Sequence, residues 1–67
     1  MTIYLNKSQD LKQYNGAVVY LKADKTPYIQ LDGGNLEVNT NDDTVTVKTS
    51  KEFAVFNQSD ILALRFL

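Results

Sequence analysis

Leu36-Glu37-Val38-Asn39-Thr40-Asn41-Asp42-Asp43-Thr44-Val45-Thr46-Val47-Lys48 is the stretch whose reading decides the fold. Side chains along a strand point to opposite faces in turn. Leu36, Val38, Val45 and Val47 therefore share one face, and Glu37, Asn39, Thr46 and Lys48 share the other. With Asn41-Asp42-Asp43 as the turn between them, the two halves read as an antiparallel hairpin, dry on one side and wet on the other.

The same rhythm of strand and turn continues outward in both directions. Stretches rich in Val, Ile, Thr, Tyr and Phe occupy residues 16–22, 27–32, 52–57 and 61–66. Between them lie turn clusters, Ala23-Asp24-Lys25-Thr26, Asp32-Gly33-Gly34-Asn35 and Ser50-Lys51. Pro27 opens its strand at the position where a missing N–H does least harm. Asp32-Gly33-Gly34-Asn35 has the composition of a tight hairpin turn, because glycine supplies positive φ and Asp and Asn tolerate it. Residues 2–5 form a further candidate strand, with Ile3 and Leu5 on one face and Tyr4 on the other. Residues 8–14 alone carry helical spacing, with Ser8 as cap, Leu11 and Tyr14 three apart, and Asn15-Gly16 as the stop.

Near the C-terminus, Gln58-Ser59-Asp60 reads as a single helical turn, closed by side chain-to-backbone hydrogen bonds, ahead of a last short strand. That sequence of strand, one-turn break and strand resembles in shape the closing element of small SH3-like and Sm-like barrels. The fold class expected is all-β, a small antiparallel meander or partly open β-barrel of five to seven short strands, SH3-like or Sm-like in shape. It forms one domain over residues 1–67 with a short N-terminal helical turn.

Three strands do not alternate. Ala17-Val18-Val19-Tyr20-Leu21, Phe53-Ala54-Val55-Phe56 and Ile61-Leu62-Ala63-Leu64 are apolar on both faces. With Val19, Leu21, Val55, Leu62 and Leu64 as the core, Val18, Tyr20, Phe56 and Ile61 fall on a second face. Either the 8–14 segment covers that face or another chain does, since monomers seldom expose apolar patches beyond a few hundred Å².

Composition narrows the function. The 67 residues contain no Cys and no His, so disulfides are impossible and any zinc site would be left with carboxylates. A domain of this size buries only about 60% of its unfolded surface, which makes self-association one route to stability. Nucleophilic catalysis lacks its usual activators, and Ser8, Ser50 and Ser59 fall in turns. Asp42 and Asp43 sit together in a solvated turn, and residues 32–37 miss the spacing of a calcium loop. The expectation is therefore no enzyme, with no catalytic, cofactor-binding or metal-ligating residues and no cofactor.

What remains is binding. The expected partner is a protein or a second copy of the chain, as a homodimer or higher oligomer, met through Val18, Tyr20, Tyr28, Phe56 and Ile61. The alternative is a single-stranded nucleic acid held by Tyr4, Tyr20 and Tyr28, with Lys22 and Lys25. Residues 1–31 carry four lysines against two aspartates, while residues 32–67 carry three basic against six acidic groups. A backbone-binding chain is normally more basic than that. The longest apolar run, Ala17 to Leu21, is five residues, too short to span a membrane, and no secretory leader is evident. A cytoplasmic accessory, regulatory or inhibitory protein, of the kind phages and mobile elements encode, fits this size.

Overall fold

The computed structural model describes residues 8–67. Within them run seven strands: β1 (Ser8–Leu11), β2 (Gly16–Leu21), β3 (Tyr28–Asp32), β4 (Leu36–Asn41), β5 (Thr44–Lys48), β6 (Phe53–Asn57) and β7 (Ile61–Phe66). They form two antiparallel sheets, one in the order β1-β4-β5-β6 and the other in the order β3-β2-β7. Among the described residues the barrel is not closed. The candidate strand at residues 2–5 and Tyr4 lie outside the described residues.

The hairpin of residues 36–48 is present as β4 and β5, with Val38 opposite Val47 and Thr40 opposite Val45. Asp42 takes positive φ (31°) in its turn, as expected of the Asn41-Asp42-Asp43 cluster. Leu36, Val38, Val45 and Val47 are all buried. Facing them across the molecule are Ala17 and Val19 of β2, Leu31 of β3 and Ile61 of β7, with Leu11 completing the shared core. Each fully buried Val or Leu contributes about 1.5–3 kcal/mol by leaving water.

Three expectations need correction. Residues 8–14 do not form a helical turn: Ser8–Leu11 is a strand paired with β4, Leu11 lying opposite Leu36 and 6% exposed. A helix of two turns has few hydrogen bonds to set against its nucleation cost, whereas strand pairing supplies a ladder and buries Leu11. The 32–35 cluster does not make a hairpin either. Among the described residues β3 pairs only with β2, and β4 with β1 and β5, so Asp32-Gly33-Gly34-Asn35 carries the chain from one sheet to the other. Positive φ is still required there, at Gly33 (122°) and Asn35 (55°).

The third correction concerns which side chains point inward. In β7 the register slips: Tyr20 faces Ala63, but Leu21 faces Ile61, so Leu62 is bulged out. The bulge reverses the alternation. Leu64 and Phe66 pack on the core as expected, yet Ile61 joins them at 6% exposure while Leu62 is 43% exposed. In β6 the pairs Val45–Phe56 and Val47–Ala54 turn Phe56 and Ala54 inward, which leaves Val55 outside at 55% exposure. The 3₁₀ turn expected at residues 58–60 is present, closed by the Ile61 N–H donating to the Gln58 carbonyl rather than by a side chain.

One end of the sandwich is fastened by Thr49, the sole buried polar side chain among the described residues. Its hydroxyl donates to the Asp32 carbonyl (2.8 Å) and accepts from the Glu52 N–H (2.9 Å) and the Lys51 N–H (3.2 Å). The Ser50 N–H reaches the Gly34 carbonyl (2.8 Å), and the Gly33 N–H reaches the Asn15 carbonyl (2.9 Å). A Cβ on Gly33 would stand 2.9 Å from the Thr49 hydroxyl, so this corner admits glycine for space as well as for φ.

The bulge yields a paired test. Ile61→Asp should abolish the folded state, since an unpaired charge in the core costs several kcal/mol. Leu62→Asp should stay within about 0.5 kcal/mol of the parent. Urea unfolding followed by circular dichroism checks both, and similar losses at the two positions would mean that the strand is not bulged.

Candidate interaction faces

Three surfaces emerge from this alternation. The first is the outward face of the β3-β2-β7 sheet. Tyr20 and Tyr28 are cross-strand partners, their rings 6.4 Å apart and inclined at 52°. Val18 lies between Gln30 and Arg65 in register. It is 7% exposed although it stands apart from the core cluster, so its cover comes from these neighbours. Together with Leu67 they line a shallow depression of about 300 Å³. Tyr28 is 56% exposed and is the most prominent side chain of this face.

The second surface is a cleft of about 620 Å³ where the two sheets part, on the side of β3 and β6. Its apolar lining comes from Leu21, Ile29, Val55 and Phe56, with Lys22 and Asp60 beside them. The Lys22 N–H donates to the Asp60 carbonyl (3.0 Å), which ties the start of the β2–β3 connection to the 3₁₀ turn. The third surface is the outer side of β6, where Phe53 (65% exposed) and Val55 stand in water.

The structure brings Val18, Tyr20 and Tyr28 onto one face. Phe56 points the other way, toward the core and the cleft, and Ile61 is a core residue. Of the residues named for nucleic-acid binding, Tyr20 and Tyr28 are neighbours, Tyr4 is outside the described residues, and Lys22 lines the cleft instead of the tyrosine face. Lys25 lies exposed in the connection between β2 and β3. The cation that does lie on the tyrosine face is Arg65.

Arg65, Gln30 and Leu67 were not singled out from the sequence, though strand alternation in β7 places Arg65 opposite Leu64 and Phe66. Phe53 was missed because an apolar run does not disclose which of its faces is dry. Among the described residues no group of three Asp, Glu, His or Cys side chains is placed to hold a metal ion, and no buried side-chain polar atom lacks a hydrogen-bond partner. No helix of the described residues is long and apolar enough to cross a membrane.

Comparison of the chain with protein-family models, with curated proteins and with solved structures finds no match.

Proposed function

We propose that this protein is a non-enzymatic interaction module that self-associates and offers the tyrosine face of β3-β2-β7 to a second protein, in an accessory, regulatory or inhibitory role. The observation that carries this reading is the convergence of Val18, Tyr20, Tyr28, Arg65 and Leu67 on one outward face. Tyr28 is not part of the core and stands 56% exposed beside Tyr20, accessible to a partner. Tyrosine and arginine bring large contact area and directed hydrogen bonds at modest entropic cost, which is why interface hot spots are rich in both. The absence of His and Cys from the whole chain supports binding over catalysis.

A photo-crosslinking amino acid at position 28, in the host cell, should give a discrete protein adduct, while the same group at Thr46 on the far sheet should not. Tyr20→Ala or Arg65→Glu, added to the position-28 probe, should remove the adduct while the circular dichroism spectrum is kept. An adduct indifferent to both substitutions would contradict the reading.

The adjacency of Tyr20 and Tyr28 beside Arg65 also favours the second reading, a stacking platform for a single-stranded nucleic acid. Fluorescence anisotropy with labelled oligo-dT and oligo-rU at low salt separates the two. Binding that weakens steeply with salt and is lost in Tyr20→Ala and Tyr28→Ala would favour the nucleic acid. No binding is the outcome expected of the protein-interaction module.

A further inference from the structure

Among the described residues the two sheets leave four outer strands: β1, β6, β3 and β7. An exposed edge is a template for another strand, and proteins guard such edges with proline, charge, bulges or brevity. β1 has only four residues. β3 follows Pro27, and at its far end the outward Asp32 N–H is taken by the Glu52 carboxylate. β7 is bulged at Leu62 and carries Arg65. β6, Phe53-Ala54-Val55-Phe56-Asn57, has none of these guards: no charge, no proline and no bulge.

The hydrogen bonds at either end of β6 show which of its backbone groups are turned outward. The Thr49 N–H donates to the Glu52 carbonyl (2.8 Å) and the Gln58 N–H to the Asp43 carbonyl (2.7 Å), bracketing the β5–β6 ladder. Bonded and non-bonded pairs alternate along an antiparallel ladder. Ala54 and Phe56 therefore direct their N–H and C=O groups to Val47 and Val45 of β5. Phe53, Val55 and Asn57 direct theirs to the edge that no described strand covers.

We infer that β6 pairs antiparallel with β6 of a second copy about a two-fold axis at Val55, joining the two four-stranded sheets into one. Placing Val55 opposite Val55 sets Phe53 opposite Asn57 of the other copy. Every outward N–H of the three residues then meets a carbonyl, the Asn57 carbonyl also accepting from the Asp60 N–H of its own 3₁₀ turn, and shifting the register leaves some of these N–H groups unmet. Such an interface is self-complementary, as a two-fold contact must be. Its charges are compatible too: β6 itself carries none, and Lys51 and Glu52 just before it come to the end where the other copy's 3₁₀ turn brings Asp60. The side chains gain on both faces. On the outside, Phe53 comes diagonally beside Val55 of the second copy, covering two of the most exposed apolar residues of the described chain. On the inside, Ala54 meets the second Phe56, which carries that ring across the mouth of the cleft lined by Leu21 and Ile29.

This inference rests on the self-association in the proposed function but uses a different surface from the tyrosine face. Sedimentation equilibrium of the full chain over a wide concentration range is the test. The parent should sediment as a dimer. Val55→Pro removes an outward N–H and no bond to β5, so it should weaken the dimer at least tenfold while leaving the sheet spectrum intact. Val55→Lys, which sets two cations against each other at the axis, should do the same if the proline variant fails to fold. Tyr28→Ala should leave the mass unchanged. A parent that is monomeric throughout would overturn the inference, whether the β6 edge is open or covered by residues 1–7. So would a dimer indifferent to Val55 and broken instead by Tyr28→Ala, which would assign self-association to the tyrosine face.

Discussion

The Thr49 hydroxyl is the contact on which the arrangement of the two sheets depends. A hydroxyl has one hydrogen to give and two lone pairs to offer, and Thr49 uses all three. Its proton goes to the Asp32 carbonyl, at the end of one sheet. Its lone pairs take the Lys51 and Glu52 N–H groups, in the turn that closes the other. Buried at 4% exposure, these bonds face little competition from water, and each group left unmade would cost about 1–3 kcal/mol. Gly33 gives the hydroxyl room, and the Glu52 side chain caps the Asp32 N–H beside it. At the opposite end the Lys22–Asp60 and Gln58–Asp43 backbone bonds hold the 3₁₀ turn to both sheets. Between these two fastenings the sheets share one apolar layer and part along the β3 and β6 side.

Much of this was legible in the sequence wherever a local rule decided the outcome. Strict alternation in β4 and β5 identified their inner faces residue by residue. The turns at Asn41-Asp42-Asp43 and Ser50-Lys51 link neighbouring strands, and the one-turn break before β7 is present. The failures share a cause: each depended on a partner distant in sequence. Asp32-Gly33-Gly34-Asn35 has the composition of a hairpin turn, and only the bonds to Thr49, Ser50 and Asn15 make it a passage between sheets. The spacing of Leu11 and Tyr14 fits a helix as well as it fits a strand end followed by a ring packed on Phe66, at 5.3 Å. Ile61 was set on the wrong face because a bulge at Leu62 cannot be read from six apolar residues in a row.

The same limit explains the mixed fate of the interaction residues. Val18, Tyr20 and Tyr28 are consecutive outward positions of paired strands, so simple alternation sufficed to group them. Phe56 and Ile61 belong to strands that are apolar on both sides, where the partner strand chooses the inner face. The excess of apolar side chains noticed along the chain is real, but it is divided. One part is absorbed by the bulge, one lies under the tyrosine face, and one remains on the outer side of β6. A surplus split between two separate surfaces is what a small module needs if one contact joins it to a copy of itself while the other stays available.

Amide hydrogen exchange, measured residue by residue by NMR over a range of denaturant, is the most direct test of the Thr49 corner. The Gly33, Ser50 and Glu52 amides should exchange only through global unfolding, with opening free energies equal to the stability of the whole domain. The Asp24 and Lys25 amides, in the exposed β2–β3 connection, give the fast reference. Exchange of the three corner amides at rates near that reference, while the β4 and β5 amides remain protected, would contradict the account. It would mean that the Thr49 corner is not what fixes the two sheets to each other.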